Sequence, residues 1–415
     1  MMPKAGLIPH NFSKTPNYTH MPIRSMRQLK DIAGKVVFLR VDFNVPLANG
    51  KVKEDYKIIA GLVTIRFLLR YDAKIIIATH LGDPGGKKSK KYTTEPVAQR
   101  LEKLLGRKVV FVKDCIGPKV GKAVKELKSG QVLFLENLRF YPGEEKDDKQ
   151  FARQLAAPAD VYINNAFAVS HRAHASVSAI KAHLPSYAGL LLEQEVSSIE
   201  RALKPKKPLV VVIGGAKIGT KLPIIKNFIK NASQILVGGA VANDFLQSLG
   251  YEVGKSKVSG DAKLAKQAIA MYKKAGNKKI ILPLDLVVSK KKDGKGQLAV
   301  KSVSSVAKDE YIYDIGPKTI GFYSRYLKQA NTIAWNGPMG WFEQDSFKHG
   351  TVALARVMAA RSSGQAFGVV GGGETVEALK MAGMFDQVDW VSTGGGAMLD
   401  FLAGEPMPGL KGLIK

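Results

Sequence analysis

The sequence predicts an α/β protein of two doubly wound parallel-sheet domains that face a cleft and are joined by a helical hinge. Three observations carry this expectation. The 415-residue chain has room for two ordinary domains, each with its own core. Short apolar runs alternate with segments of helical periodicity along the whole chain. Most of those runs are continuous rather than alternating, as strands covered on both faces of a parallel sheet require.

Taken in order, the first half offers strands at 36–41, 75–78, 109–112, 132–135 and 161–163, and the second at 209–213, 235–237, 280–282, 332–334, 368–370 and 390–392. Stretches such as EPVAQRLEKLLG supply the helices between them. The segment LLLEQEVSSIERALK predicts a helix over 190–204, ended by Pro205 and Pro208. A first domain at 22–188, a connecting helix at 189–204 and a second domain at 205–395 follow. The segment 396–415 ends in PMPGLKGLIK, too rich in proline and glycine for a regular element, and is expected to pack back irregularly toward the first domain. KKKDGKGQ, residues 290–297, reads as a solvated loop or hairpin turn. Residues 1–21 read as an extension without a signal core, with Met21 a candidate start.

The formal charge is +28, from 63 Lys+Arg against 35 Asp+Glu. Such a field attracts anions in general. Zinc spacings and aromatic–basic RNA motifs are missing and the basic residues are spread along the chain, so nucleic acid is not expected as the main partner. The single cysteine, Cys115, fits a reducing compartment. No apolar run reaches the roughly 18 residues of a membrane span.

In open α/β sheets, ligands bind beyond the carboxyl ends of the strands, and there the unusual residues gather. The first strand leads into RVDFNVP, whose Asp42 and Asn44 suit hydrogen bonds to a hydroxylated ligand or, equally, an Asx-turn. The second runs through His80, Leu81 and Gly82 into THLGDPGGKKSKKY, a phosphate-type turn with Asp83 at its centre. The fourth is followed by Arg139, the fifth by Arg172 between His171 and His174. A histidine pair without an acidic or cysteine partner is a poor zinc site. Each arginine alone could be a surface ion-pair residue. Together, His80, Arg139 and Arg172 read as a basic pocket for an anion, since the guanidinium fork binds phosphate or carboxylate bidentately.

The second half is richer in glycine. VVVIGGAKIGTK places Gly214, Gly215, Lys217 and Lys221 after a strand, but inverts the G-K-[ST] order of a P-loop. A dinucleotide fingerprint is also missing. Gly238 and Gly239 follow the next strand. Residues 371–373 open into a helix carrying Glu374 and Thr375, where free N–H groups favour an anion. Glu374 could hold that anion's Mg²⁺ or merely stabilise the first helical turn. With Gly394 to Gly396, four glycine clusters suggest a nucleotide laid on exposed backbone; tight packing explains one or two. NTIAWNGPMGWFEQ adds Asn336, Pro338 and Glu343 among aromatics that read as core, with Glu343 able to accept from ribose hydroxyls.

Nine motifs in family order, RVDFNVP, THLG, LENLRF, SHRAH, GGAK, DIGPKT, WNGPMG, GGG and STGGGA, resemble those of the phosphoglycerate kinase family from about residue 22 to 415. The resemblance implies a cytoplasmic, monomeric enzyme of two Rossmann-like domains. It implies reversible phosphoryl transfer between 1,3-bisphosphoglycerate/ADP and 3-phosphoglycerate/ATP, with Mg²⁺, in glycolysis and gluconeogenesis. By position it gives Asp42, Phe43, Asn44, Lys57, His80, Leu81, Gly82, Asp83, Arg139 and Arg172 to 3-phosphoglycerate. To the nucleotide it gives Gly214, Gly215, Lys217, Lys221, Gly238, Gly239, Asn336, Pro338, Glu343, Gly372, Gly373, Glu374 and Thr375. Lys57, Lys217 and the amides of Gly372 and Gly373 would serve the phosphoryl group in flight, and Glu374 the metal. Catalysis is then positioning and charge neutralisation, with hinge closure around 190–204.

Three positions depart from the family pattern. Lys57 stands where the family has arginine and loses the fork. Glu374 stands for aspartate and moves the carboxylate. Asp83 stands for arginine, a negative charge beside a phosphate; its side chain is expected to turn away while one of Lys87, Lys88, Lys90 and Lys91 restores the charge. These departures and the +28 charge frame the alternative, a degenerate member that binds nucleotide or polyanions without useful catalysis.

Overall fold

The computed structural model describes residues 23–276 and 278–414. The 1–21 extension and the candidate start Met21 lie outside them. The described chain forms two compact units, one of residues 23–197 with 406–414, the other of Ser198–Glu405.

The first unit runs β1 (Val36–Val41), a small hairpin β2 (Leu47–Ala48) and β3 (Lys51–Val52), α1 (Tyr56–Arg70), β4 (Lys74–Ala78), α2 (Glu95–Leu105), β5 (Val109–Val112), α3 (Pro118–Glu126), β6 (Val132–Leu135), α4 (Pro142–Glu145), α5 (Lys149–Ala156), β7 (Val161–Asn165) and β8 (Ser186–Ala188). Its six-stranded parallel sheet has the order β5-β6-β4-β1-β7-β8. Val37 pairs in register with Ile75 on one side and Val161 on the other. The unbroken apolar runs have a direct cause. Val37, Leu39, Ile75 and Ile77 enter a core with Ile58 and Ile65 of α1 and Val97 of α2. The intervening Phe38, Ile76 and Leu133 enter a second core with Val120 of α3 and Leu155 of α5. Both faces are covered, so both phases of the strand are apolar.

Helix α6 (Leu190–Leu203) follows, and the division between the units falls within it. The second unit continues with β9 (Leu209–Ile213), α7 (Ile218–Phe228), β10 (Gln234–Val237), α8 (Gly239–Ser248), α9 (Ala262–Ala275), β11 (Ile280–Ile281), β12 (Asp285–Ser289), β13 (Leu298–Ser302), β14 (Tyr311–Ile315), α10 (Pro317–Gln329), β15 (Thr332–Asn336), α11 (His349–Ser362), β16 (Phe367–Gly371), α12 (Gly373–Met381), β17 (Trp390–Val391) and α13 (Gly396–Ala403). A second six-stranded parallel sheet has the order β11-β10-β9-β15-β16-β17, and β13-β12-β14 form a separate antiparallel sheet. Residues 290–297 are the turn of the β12–β13 hairpin.

The C-terminal segment differs from the expected 396–415. Its first part is the regular helix α13, which packs on α7 within the second unit. From residue 406 the chain joins the first unit. There the Gly409 N–H donates to the Ser170 carbonyl at 2.8 Å. Asn164 Nδ2 donates to the Gly409 carbonyl at 3.1 Å. The Lys181 ammonium donates to the carbonyls of Pro408 and Lys411 at 2.6 and 2.7 Å.

Candidate active site

In the first unit, β6, β4, β1 and β7 are neighbours, so the residues that follow them collect along one sheet edge. Asp42 accepts an ion pair from Lys57 of α1 at 2.6 Å and the Asn44 N–H at 3.3 Å. The Asx-turn therefore forms, and the carboxylate is spent inside the protein rather than offered to a ligand. Asn44 Oδ1 accepts the Gly82 N–H at 2.9 Å. Gly82 has φ +59, and a Cβ there would lie 2.4 Å from the Tyr92 ring, so only glycine fits. Its carbonyl accepts from Arg139 at 2.8 Å. Arg139 is nearly buried, with Nε 3.1 Å from Glu145. Arg172 is exposed and donates to His171 Nε2 at 3.1 Å.

Two residues given to the substrate point elsewhere. The Phe43 and Leu81 side chains lie in the core cluster of α1 and the sheet, because the chain leaves each strand with one more apolar residue facing inward. Asp83 is exposed. Of the nearby lysines, Lys88 lies 3.6 Å from Asp114, and Lys91 stands over the Tyr92 ring.

Sequence reasoning missed the scaffold behind these residues. Arg40 is fully buried, donates to Ser176 Oγ at 2.8 Å, and lies 3.7 Å from Glu144 and 3.4 Å from His80 Nδ1. An arginine inside the run VVFLRV was the available signal. Asn137 accepts the Leu81 N–H at 3.2 Å and donates to the Leu81 carbonyl at 2.7 Å, clamping the Gly82 turn. The resulting field is positive. Burial drives the His80 pKa well below the ordinary histidine value, with Arg40, Arg139 and Lys57 adding to it against the opposing pull of Asp42. Burial, Arg40, Arg139 and Arg172 lower His174 to about 3. Burial pushes Asp42 up, but Lys57, His80 and Arg40 more than offset it and hold the carboxyl at about 2.

In the second unit, β10, β9, β15 and β16 are neighbours. Gly215, at φ +87, donates its N–H to the Pro338 carbonyl at 2.8 Å. Gly239, at φ +59, donates to Met339 at 2.8 Å. A Cβ on Gly214 would lie 2.1 Å from the Pro338 carbonyl, and one on Gly238 would lie 2.6 Å from Met339 Sδ. Tight packing thus accounts for Gly214 and Gly238. Gly215, Gly239, Pro338, Glu343 and Glu374 instead line a cavity of about 600 Å³, with Leu286 of β12 and Tyr311 and Tyr313 of β14 on its antiparallel-sheet wall. That volume lies in the range of small-ligand sites.

The remaining residues form a separate polar chain. Lys221 is buried and donates to Asn336 Oδ1, while Asn336 Nδ2 donates to the Gly371 carbonyl at 2.7 Å. Asn336, expected to face phosphates, is occupied at both ends and positions Lys221. Burial lowers Lys221 to about 8, against the pull of Glu374. Thr375 is buried and its Oγ1 accepts the Gly337 N–H at 2.7 Å, so it fixes the loop after β15. Lys217 is exposed as the N-cap of α7. Gly372, at φ +96, is the N-cap of α12, and Gly373 opens it. Among the described residues no group of three or more His, Cys, Asp or Glu is arranged to hold a metal ion. Glu374 is exposed on the first turn of α12, a single carboxylate of the kind that Mg²⁺ takes beside phosphate oxygens.

A cation cluster at the carboxyl edge of one doubly wound sheet, and a cavity of small-ligand size at that of another, suit a two-domain enzyme that acts on small anionic molecules. Comparison with known proteins makes this specific. The family model described as phosphoglycerate kinase matches residues 26–405, and the chain belongs to that family. It is 44% identical over 396 residues to the phosphoglycerate kinase of Geotalea uraniireducens, covering 94% of this chain and 98% of that protein. It is 46% identical over 382 residues to that of Desulforudis audaxviator, covering 92% and 96%. The solved phosphoglycerate kinase of Coxiella burnetii superposes with a TM-score of 0.84 at 38% identity, covering 94% of this chain and 99% of that one. That of Pyrococcus horikoshii gives 0.81 at 34%, covering 94% and 98%.

Proposed function

We propose that this chain transfers a phosphoryl group reversibly between 1,3-bisphosphoglycerate/ADP and 3-phosphoglycerate/ATP, as a glycolytic and gluconeogenic enzyme. The observation that carries the reading is the cation cluster of the first unit: burial first, and then Arg40 and Arg139 beside both rings, with Lys57 acting on His80 and Arg172 on His174, keep the two histidines neutral, and these four cations suit a small polyanion. 3-Phosphoglycerate is placed there, held by Arg139, Arg172 and His80. The nucleotide is placed in the second unit, its nucleoside in the cavity and its phosphates toward Lys217, Lys221 and the start of α12.

The acceptor carboxylate is already anionic, so the protein need not remove a proton. What remains is alignment and neutralisation. Lys57 can release Asp42 to meet the moving phosphoryl group; Lys217, unobstructed at the start of α7, can follow it. The Gly372 and Gly373 amides face the charge that develops on the leaving oxygens. Mg²⁺, held by Glu374 and the nucleotide phosphates, would supply further charge neutralisation when bound. Hinge motion around α6 belongs to this reading. A cytoplasmic monomer is part of the same reading. For the compartment, the support is the single cysteine, a usage that fits reducing conditions.

The test is steady-state turnover of 3-phosphoglycerate with MgATP, coupled to NADH oxidation, at low and physiological salt. Turnover in the wild type and a loss of about 100-fold or more in Lys217→Ala are expected. ATP binding without turnover would favour the binding-only alternative, and near-normal turnover of the variant would end the role given to Lys217.

A further inference from the structure

The lysine-rich β12–β13 turn, which reads in sequence as a solvated loop, is held in place at several points. The Tyr313 hydroxyl of β14 points at the carbonyls of Lys291 and Lys292, at 3.0 and 2.8 Å, as a three-centre bond. The Gly294 N–H closes the turn on the Lys291 carbonyl at 3.0 Å. Gly294, at φ +70, lies so close to Phe347 that a Cβ there would sit 2.4 Å from the ring. Lys290 pairs with Asp309 at 3.0 Å. The Tyr313 ring is in turn packed by Trp341 and Phe347, with centroids at 5.4 and 4.6 Å. Trp341 and Phe347 are themselves stacked, 8° from parallel.

A run of adjacent lysines repels itself and gains little from order. Fixing it costs conformational entropy that the tyrosine hydroxyl and the aromatic surface must offset. The outcome of that ordering is that Lys292 lines the cavity together with Tyr313, Trp341 and Glu343. Lys217, Lys221, Gly372 and Gly373 are not among the residues lining it, so on the nucleotide reading the cavity proper takes the nucleoside, with the solvent-exposed Lys292 at its rim.

We propose that Lys292 is a nucleotide-binding residue at the nucleoside end of the cavity, and that Tyr313 is the positioning residue that holds it there. The inference rests on the nucleotide reading of the cavity and adds a residue pair to it. Tyr313→Phe removes the hydroxyl and keeps the stacked ring. Lys292→Met removes the charge and keeps the chain length. Each is expected to raise the Kd and KM for MgATP by about tenfold, with the KM for 3-phosphoglycerate unchanged. The double variant is expected to be no weaker than Lys292→Met alone, because the hydroxyl acts through the lysine. Limited trypsin digestion gives a readout independent of turnover. Tyr313→Phe should be cut faster within 290–295, and MgATP should protect the wild type there.

Titration calorimetry of the full chain separates the possible failures. A wild type that does not bind MgATP overturns the nucleotide reading and this inference with it. A wild type that binds, with both variants binding equally well, overturns this inference alone. So does an additive loss in the double variant, or a matching rise in the KM for 3-phosphoglycerate. If Tyr313→Phe lowers the melting temperature enough to obscure its kinetics, Lys292→Met at unchanged melting temperature still decides the role of the cation.

Discussion

At Lys221, burial, against the opposing pull of Glu374, sets the charge state that the nucleotide would meet. Burial lowers this ammonium to about 8 from the 10.5 of a solvated lysine. Between those values the folded protein carries less of this proton than the unfolded chain, so the lysine's contribution to stability rises with pH across that window. Binding follows the opposite course. A phosphate beside Lys221 favours the charged form, so above about pH 8 binding must take up a proton. The Kd for MgATP is expected to be flat from pH 6 to 7.5 and then to rise by roughly tenfold per pH unit. Calorimetry in buffers of different ionisation enthalpy would show the uptake, and a flat profile to pH 9.5 would sink the idea. Asp83 gives a second test at this scale. It is exposed, and its charge acts on Arg139, opposing the effect of burial there. Asp83→Arg is expected to lower the KM for 3-phosphoglycerate by about three- to tenfold while leaving that for MgATP in place. A flat or raised KM for 3-phosphoglycerate would mean that the turn has been rebuilt around the carboxylate.

The loops after β9, β10 and β15 approach one another backbone to backbone, and their glycines divide accordingly. Gly337 has φ +91, and a Cβ on it would lie 2.2 Å from the Gly214 carbonyl. Gly373 has no atom within 4 Å of where a Cβ would go, and its φ is not in the left-handed range. Gly337→Ala is therefore expected to cost about 2–4 kcal/mol in urea unfolding. Gly373→Ala should leave stability unchanged or raise it by up to about 1 kcal/mol. Equal effects of the two would refute the distinction. The same contrast explains what was legible in the sequence. Most of the parallel strands were visible because both of their faces are buried. Strand β13 was not, since its burial alternates between half-covered and exposed, and the three residues of β8 are too few for a pattern. Motif positions located Asp42, His80 and Lys221, but not how each is used. That depended on contacts that Arg40, Asn137 and Thr375 make with residues 38 or more positions away, which neighbours in the sequence do not show.

Over the whole molecule, two parallel sheets of the same strand count each gather charged or glycine-rich loops at the carboxyl edge, which is why a single rule about strand ends led to both candidate sites. The +28 charge was less informative, because it is spread over the chain rather than drawn to those edges. One further property follows from the order of the chain. The first unit is interrupted: its Ser170 carbonyl is met by Gly409, after the whole of Ser198–Glu405 has been laid down. At typical ribosomal speeds that separation lasts about 10–40 s. During translation the loop bearing Arg172 must therefore wait, its backing absent, while the later unit emerges and folds. The earliest-made half of the enzyme is the last to be finished.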